Sequence, residues 1–367
     1  MRNEGKSIFV CYTPFQVFNA LNLVIHNVNG TGGHSDICVE RNFAHAGEIA
    51  EQLKKSGLFG RVYEFFLPDI KRRFLHRAAV LAGTLFPVWS IKKLAGSDFD
   101  LPGQGDQALY ASVWGLFAVN LINHYGIETV CLFEDGLASY EGSMKNKVSF
   151  LYRAVFQFLN LGCMGVKEQA VYLYRPAMYQ GKPSELVKKM PEVKECGKFI
   201  RACKEIFGYK ENDTYQKRRF IYLEIIMSEV SGCRALPESL FVNVFVNVKP
   251  LRSRLLVRRH PRASQKPETG VRIDTGENMW ELEAMEHITD RHVLISYYST
   301  AMFTPKMLFD REPYLIFAYH IWRVNESDEK TKKLQRIVQF LKDSYRNPEK
   351  VMTPHTIEEY EAICIRI

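Results

Sequence analysis

Thr129-Val-Cys-Leu-Phe-Glu-Asp-Gly-Leu-Ala-Ser-Tyr-Glu-Gly142 decides the fold. Four apolar or β-branched residues, Val130 to Phe133, run straight into two acids and a glycine. A short apolar run closed by turn chemistry predicts a buried strand of a parallel sheet. In open α/β sheets the carboxyl ends of such strands border the ligand crevice. Glu134 and Asp135 are therefore expected at the mouth of a site, with Gly136 permitting a sharp turn. Neighbouring acids hinder each other's ionisation and raise each other's pKa, which suits a general base. The plainer alternative is a helix N-terminus, where acids stabilise the first turn.

The same pattern recurs on both sides of this stretch. Ser7 to Cys11 reads as a first strand. Tyr12-Thr-Pro14 leads from it into helically spaced apolar residues reaching Ile25, with Thr13 as N-cap and Pro14 at the first helical position. Such a helix start can receive a substrate anion, although capping alone also explains it. Strands are expected over Asp36–Val39, Arg61–Phe66, Leu109–Ser112 and Gln169–Tyr174, with helices over Glu48–Lys55, Trp114–Tyr125 and Lys147–Leu161. Pro176 to Lys194 reads as a linker or surface crossover. Phe220–Met227 then opens a second α/β unit, with a helix over Ser239–Val248, strands over Leu255–His260, His292–Ser296 and Pro313–Ala318, and helices over Thr300–Phe309 and Lys330–Asp343 and at the C-terminus. Alternating strands and helices predict parallel sheets. The expected division is a domain over residues 1–190 and another over 191–367.

The 367 residues are 46% hydrophobic and 25% charged, which suits an ordinary globular chain of two domains. The net charge of +8 is a mild bias that fits an anionic substrate or membrane surface. It is too weak to argue for nucleic acid, and no aromatic-studded basic motif of the RNA-binding type is present. None of the eight cysteines forms a C-x-x-C pair, so reduced core thiols of a cytosolic protein are expected rather than zinc ligands. The N-terminus lacks the apolar core of a signal peptide, and no apolar run reaches the roughly 18 residues of a membrane span. Lys71 to Lys93 carries a shorter apolar core between basic clusters. It reads either as a buried helix pair or as a segment lying in an anionic membrane interface, with Trp89 as anchor. Asp98-Phe-Asp100 has a metal-binding spacing, but no further acids cluster with it.

Two constellations in the second half carry chemistry. Arg258-Arg-His-Pro-Arg262 ends a strand, and Pro261 holds His260 extended, which aims its side chain. Three arginines around His260 depress its pKa until an anion binds, after which it can donate a proton or hydrogen bond to a phosphate. Ser296-Tyr-Tyr-Ser-Thr300 follows the next strand, and the hydroxyls of Ser296, Ser299 and Thr300 with free backbone N–H groups suit a phosphate. Glu229, read at the end of the Phe220 strand, rivals Asp135 as a base.

The acid-acid-glycine strand end, the His-Pro pair and the Ser/Thr cluster, in this order, resemble bacterial sialyltransferases. Cys11-Tyr-Thr-Pro-Phe-Gln-Val-Phe-Asn-Ala20, which includes Thr13, Pro14 and Gln16, is similar to glycosyltransferase family 52, the lipooligosaccharide and capsule sialyltransferases. Phe133-Glu-Asp-Gly-Leu-Ala-Ser-Tyr140 also resembles that family's acidic motif. The resemblance implies an α/β GT-B fold of two Rossmann-like domains around an interdomain cleft. The first domain would take the acceptor and the second the donor nucleotide. It implies inverting transfer from CMP-sialic acid to a galactose-terminated glycan, with no metal and no other cofactor. His260 matches the family's catalytic histidine. The acid matches Asp135 or Glu134, or Glu229 as the acid at the end of the second domain's first strand. Gly136, Gln16 and Pro261 are expected among the substrate-binding residues, and Arg259, Arg262, Ser299 and Thr300 would hold the phosphate. The expected protein is cytoplasmic, with peripheral contact to the inner face of the plasma membrane in view, and the resemblance favours a homodimer. A hexosyltransferase using a UDP-sugar and a non-catalytic glycan- or membrane-binding subunit are the alternatives.

Overall fold

The computed structural model describes residues 6–32, 34–68, 82–83, 85–100, 107–113, 115–141, 165–181, 184–225, 239–247, 251, 253–260, 270–297, 299–322 and 329–367. The chain forms two compact units, Met1–Gly208 and Tyr209–Ile367. The first is built on a seven-stranded parallel sheet. Its strands are β1 (Ser7–Cys11), β2 (Ser35–Glu40), β3 (Val62–Phe65), β4 (Ala108–Ala111), β5 (Thr129–Phe133), β6 (Lys167–Leu173) and β7 (Val187–Lys189), in the order β3-β2-β1-β4-β5-β6-β7. β1, β4 and β5 are buried because their side chains are apolar on both faces. Phe9 of β1 stacks on Tyr110 of β4 at 4.6 Å and lies 6.2 Å from Phe133 of β5, making an aromatic seam across the sheet centre. The described helices of this unit are α1 (Pro14–Ile25), α2 (Ala46–Ser56), α3 (Pro87–Ala95), α4 (Leu116–Tyr125) and α5 (Gly197–Ile206).

Two sequence expectations change here. The stretch read as a linker, 176–194, contains β7, which pairs with β6 and extends the first sheet. The first unit also runs on past residue 190. Phe199 of α5 meets Phe18 of α1 edge-on at 4.9 Å, so α5 covers the first sheet's helices instead of opening the second unit. The helix expected over Lys147–Leu161 lies outside the described residues.

The second unit carries a six-stranded parallel sheet of β8 (Phe220–Leu223), β9 (Leu255–Arg258), β10 (Arg272–Asp274), β11 (Val293–Ser296), β12 (Tyr314–Phe317) and β13 (Val351–Met352). The order is β10-β9-β8-β11-β12-β13, the first six strands of the other sheet repeated. The described helices are α6 (Ser239–Asn247), α7 (Trp280–His287), α8 (Thr304–Phe309), α9 (Glu329–Ser344) and α10 (Ile357–Arg366). Phe220 meets Phe245 of α6 at 5.0 Å, and Phe241 of α6 meets Tyr360 of α10 at 5.5 Å, so α6 and α10 cover one face together. The expected helix 300–309 is a 3-10 turn, Thr300–Phe303, followed by α8, since Pro305 restarts the helix at its first turn. In each sheet the strand order reverses at the first strand, between β1 and β4 and between β8 and β11, and such a switch point is where α/β sheets bind ligands.

Candidate functional site

In the first unit the carboxyl ends of β1, β4 and β5 bring three segments together. Thr13 caps α1 in extended backbone conformation, and its Oγ1 accepts from the Gln16 N–H at 3.2 Å. The same hydroxyl donates to Asp135 Oδ1 at 3.3 Å. The Gln16 side chain turns back, and its Oε1 accepts from the Tyr12 N–H at 2.7 Å. Ser139 Oγ accepts from the Asp135 N–H at 2.7 Å, and Gly136 takes a positive φ of 83°, so the turn holds Asp135 by its backbone. Burial raises Asp135 from 3.8 to about 6, while hydrogen bonds from Gln16 and Thr13 pull the other way. The carboxylate is thus tuned close to neutral pH by desolvation, not by its acidic neighbour.

Glu134 has a different position. Successive residues at a strand end face opposite sides, and Glu134 points inward, only 1% exposed. Its Oε2 accepts from Tyr140 Oη at 2.5 Å and from the Tyr174 N–H at 2.8 Å. Asn19 Nδ2 donates to the Glu134 carbonyl at 2.9 Å, and Asn19 Oδ1 accepts from Tyr174 Oη at 2.7 Å. Burial is again the main reason that Glu134 is raised to about 7, with the charge of Asp135 the smallest of the named causes. Glu134 therefore ties β5, β6 and α1 together behind the site instead of facing a substrate. Asn19, Tyr140 and Tyr174 are not singled out by the sequence, because apart from the Tyr140–Glu134 bond their contacts are with residues 35 to 155 positions away. Ser112, which follows β4 at the switch point, is a further residue of interest, since its buried hydroxyl has no hydrogen-bond partner among the described residues. Tyr12 Oη accepts from the Ala118 N–H at 3.2 Å, and its ring lies where a Cβ on Gly115 would stand.

In the second unit the corresponding face holds the Arg-Arg-His run. Arg258 does not point at a ligand. It is buried against Asp274 at 2.6 Å, the Tyr215 hydroxyl at 2.7 Å and the Asn278 carbonyl at 2.6 Å. Arg259 Nε donates to Glu224 Oε2 at 2.9 Å, and the same oxygen accepts from the His260 N–H at 2.9 Å. The positive field expected around His260 is therefore largely compensated, because two of the three arginines are paired with acids. Pro261 and Arg262 lie outside the described residues, as do Ser228, Glu229 and Tyr298. The β8 ladder ends at Leu223, so the described acid at that strand end is Glu224. Ser296 Oγ donates to the Leu223 carbonyl at 2.8 Å and accepts from the Ser299 N–H at 3.2 Å, joining the ends of β8 and β11. Ser299 Oγ accepts from the Ala301 N–H at 3.3 Å, which is N-capping. Tyr297 is buried in the core, while Thr300 is exposed.

Asp100 lies away from the carboxyl-end face of the first sheet. The Asp100 carbonyl accepts from Tyr63 Oη at 2.6 Å and from Arg61, the residue before β3, at the amino end of the strands. Among the described residues no group of three His, Cys, Asp or Glu side chains is placed to hold a metal ion. No described helix is long and apolar enough to cross a membrane.

Two Rossmann-like units with repeated strand order make this a GT-B-like fold. No protein-family model matches the sequence, and no curated protein does. Solved structures do resemble it. A sialyltransferase from Photobacterium damsela is similar with a TM-score of 0.51 and 11% identity, over 95% of this chain and 81% of that one. A UDP-GlcNAc 2-epimerase from Neisseria meningitidis, bound to UDP-GlcNAc, gives 0.46 and 10%, over 98% of both chains. The spinosyn rhamnosyltransferase SpnG, complexed with thymidine diphosphate, gives 0.46 and 11%, over 98% of this chain and 94% of that one.

Proposed function

We propose that the protein is an inverting, metal-independent glycosyltransferase that moves sialic acid from CMP-sialic acid to a galactose-terminated glycan. The observation that carries this reading is Asp135: a half-buried carboxylate at a strand's carboxyl end beside a switch point, raised to about 6 and held by Thr13. In a single displacement Asp135 takes the proton of the acceptor hydroxyl as that oxygen bonds to C2 of the sialyl group. The bond from C2 to the phosphate oxygen breaks, and CMP leaves with the electron pair. His260, charged beside the phosphate, donates a hydrogen bond or proton to the departing oxygen, and Arg259 steadies the phosphate charge. Glu134 supports the turn that carries Asp135. The resemblance of the motifs to family 52 supports the choice of donor.

The runner-up is a hexosyltransferase using a UDP-sugar. Thermal shift with CMP, UDP and GDP separates the two, because a ligand raises the melting point only when it binds the native state. A rise with CMP, followed by CMP release from CMP-sialic acid with a galactose-terminated acceptor, is the expected result. A rise with UDP alone, or no release, overturns the sialyl reading.

One surface favours peripheral membrane contact in addition. Phe86 is 63% exposed, and Trp89 56%, at the start of α3, with Leu85 and Val88 also exposed. Ser90, Ile91 and Leu94 form the inner face of the same helix. Lys92 and Lys93 are exposed on it, and Lys93 Nζ lies 4.7 Å from the centre of the Trp89 ring. Aromatic residues bordered by lysines suit the headgroup region of an anionic bilayer.

A further inference from the structure

Glu224 has no part in the mechanism above, yet it is the residue around which the described phosphate side is built. It stands directly after β8, beside the second sheet's switch point, and its backbone N–H donates to the Arg258 carbonyl at 3.0 Å. The carboxylate reaches across to the turn after β9, where Oε2 receives both Arg259 Nε and the His260 N–H. Both partners of the ion pair are nearly buried, Arg259 at 10% side-chain exposure and Glu224 at 12%. The guanidinium is thereby fixed by one edge. Its Nη2 is buried and has no hydrogen-bond partner among the described residues, an arrangement that costs free energy until an acceptor answers it. A ligand oxyanion is such an acceptor, and Arg suits it because its fork is planar and permanently charged.

We propose that Glu224 is a positioning residue for the transfer reaction: one oxygen locks the Arg259 guanidinium and the His260 backbone in register, so that a phosphate oxygen and the leaving-group histidine meet correctly. The inference rests on the glycosyl-transfer reading. It differs from a base at the end of the second unit's first strand, since a carboxylate oxygen already receiving two N–H groups is engaged in geometry and not in proton transfer.

The two roles predict opposite rankings of conservative variants. Glu224→Gln keeps the chain length and offers an amide oxygen that can receive both N–H groups, but it cannot act as a base. Glu224→Asp keeps the charge and the basicity but withdraws the oxygen by one methylene, and a misplacement of about 1 Å in a catalytic array can cost up to a hundredfold in rate. Steady-state assays of both variants, of Glu224→Ala and of wild type, with kcat and donor KM separated, are the test. The expected result is E224Q within about fivefold of wild type, with E224D and E224A slower by tenfold or more in kcat. Glutamine rescue, with alanine and aspartate impaired, is a signature that loss of bulk or charge alone does not produce. E224D outperforming E224Q overturns the positioning role in favour of proton transfer, and E224A matching wild type overturns any role. If E224A does not fold, the E224Q and E224D ranking decides alone. Wild-type protein that neither transfers a sugar nor shifts with any nucleotide overturns the underlying reading, and this inference with it.

Discussion

Replacing Asp135 by asparagine should make the protein more stable and less active at the same time. The native carboxyl titrates at about 6 against an ordinary 3.8, with burial as the main cause. The native state thus holds this proton more tightly than the unfolded chain does, and stability falls as pH rises from about 4 to about 6. Above that range, keeping Asp135 ionised costs on the order of 3 kcal/mol. Asparagine carries no charge, and its Oδ1 can still accept from Thr13, so the variant should escape that cost. Denaturant titrations of both proteins from pH 4 to pH 8 read it directly. The curves should coincide near pH 4 and separate to a plateau above pH 6.5. At the plateau the variant gains up to about 3 kcal/mol, or roughly 6–12 °C in Tm for a unit of this size. Transfer should fall by about two to four orders of magnitude in kcat, the usual share of a general base. An offset that does not change with pH, or a variant less stable at pH 7.5, refutes the desolvation account. Retained turnover refutes the catalytic one.

Wild-type kcat/KM should rise through about pH 6 and level off as Asp135 ionises, and a flat profile from pH 5 to 7 would count against it as the base. His260→Ala should lower turnover with CMP-sialic acid by about two to four orders of magnitude, and near-normal activity would remove it from the mechanism. Glu134→Ala should act on folding, costing about 1–3 kcal/mol for each buried donor left unpaired, measured by urea denaturation. Gly115→Ala should cost about 1–3 kcal/mol, because its Cβ meets the Tyr12 ring and the ring must move. Phe86→Ser with Trp89→Ser should abolish flotation with anionic vesicles and leave the melting point unchanged, while undiminished flotation would place membrane contact elsewhere.

The strands at the centres of both sheets were legible because β1, β4, β5, β8, β9 and β11 are short apolar runs, and such runs need no tertiary knowledge to recognise. Of the four edge strands, only β3 falls within an expected strand, Arg61–Phe66. Val187-Lys-Lys189 and Arg272-Ile-Asp274 carry polar residues and look like loop, and only pairing with β6 and β9 makes them strands. Asp135 was placed correctly at a strand end. The opposite orientation of Glu134 follows from the two-residue period of an extended chain, which sends adjacent acids to different sides. The apolar run continues through Ile225-Ile-Met227, four residues past the end of the β8 ladder, so the sequence alone points to Glu229, which lies outside the described residues, while the described acid after the ladder is Glu224. The arginines at 258 and 259 looked uncompensated because their acids lie 16 positions downstream and 35 upstream. Charge pairing over that span is a product of the sheet and is invisible in a local window.

The repeated strand order has a consequence for how the chain is made. Every described strand of the first sheet falls between residues 7 and 189, and every described strand of the second between 220 and 352. Among the described residues neither sheet borrows a strand from the other, so the described strands of the first are all made before β8 leaves the ribosome. Domains generally acquire structure one at a time during synthesis, N-terminal first. The long-range parallel pairings that make such sheets slow to form are thus confined to about half the chain at once. A ribosome pausing near Gly208 would give the first half time to close before the apolar strands of the second appear.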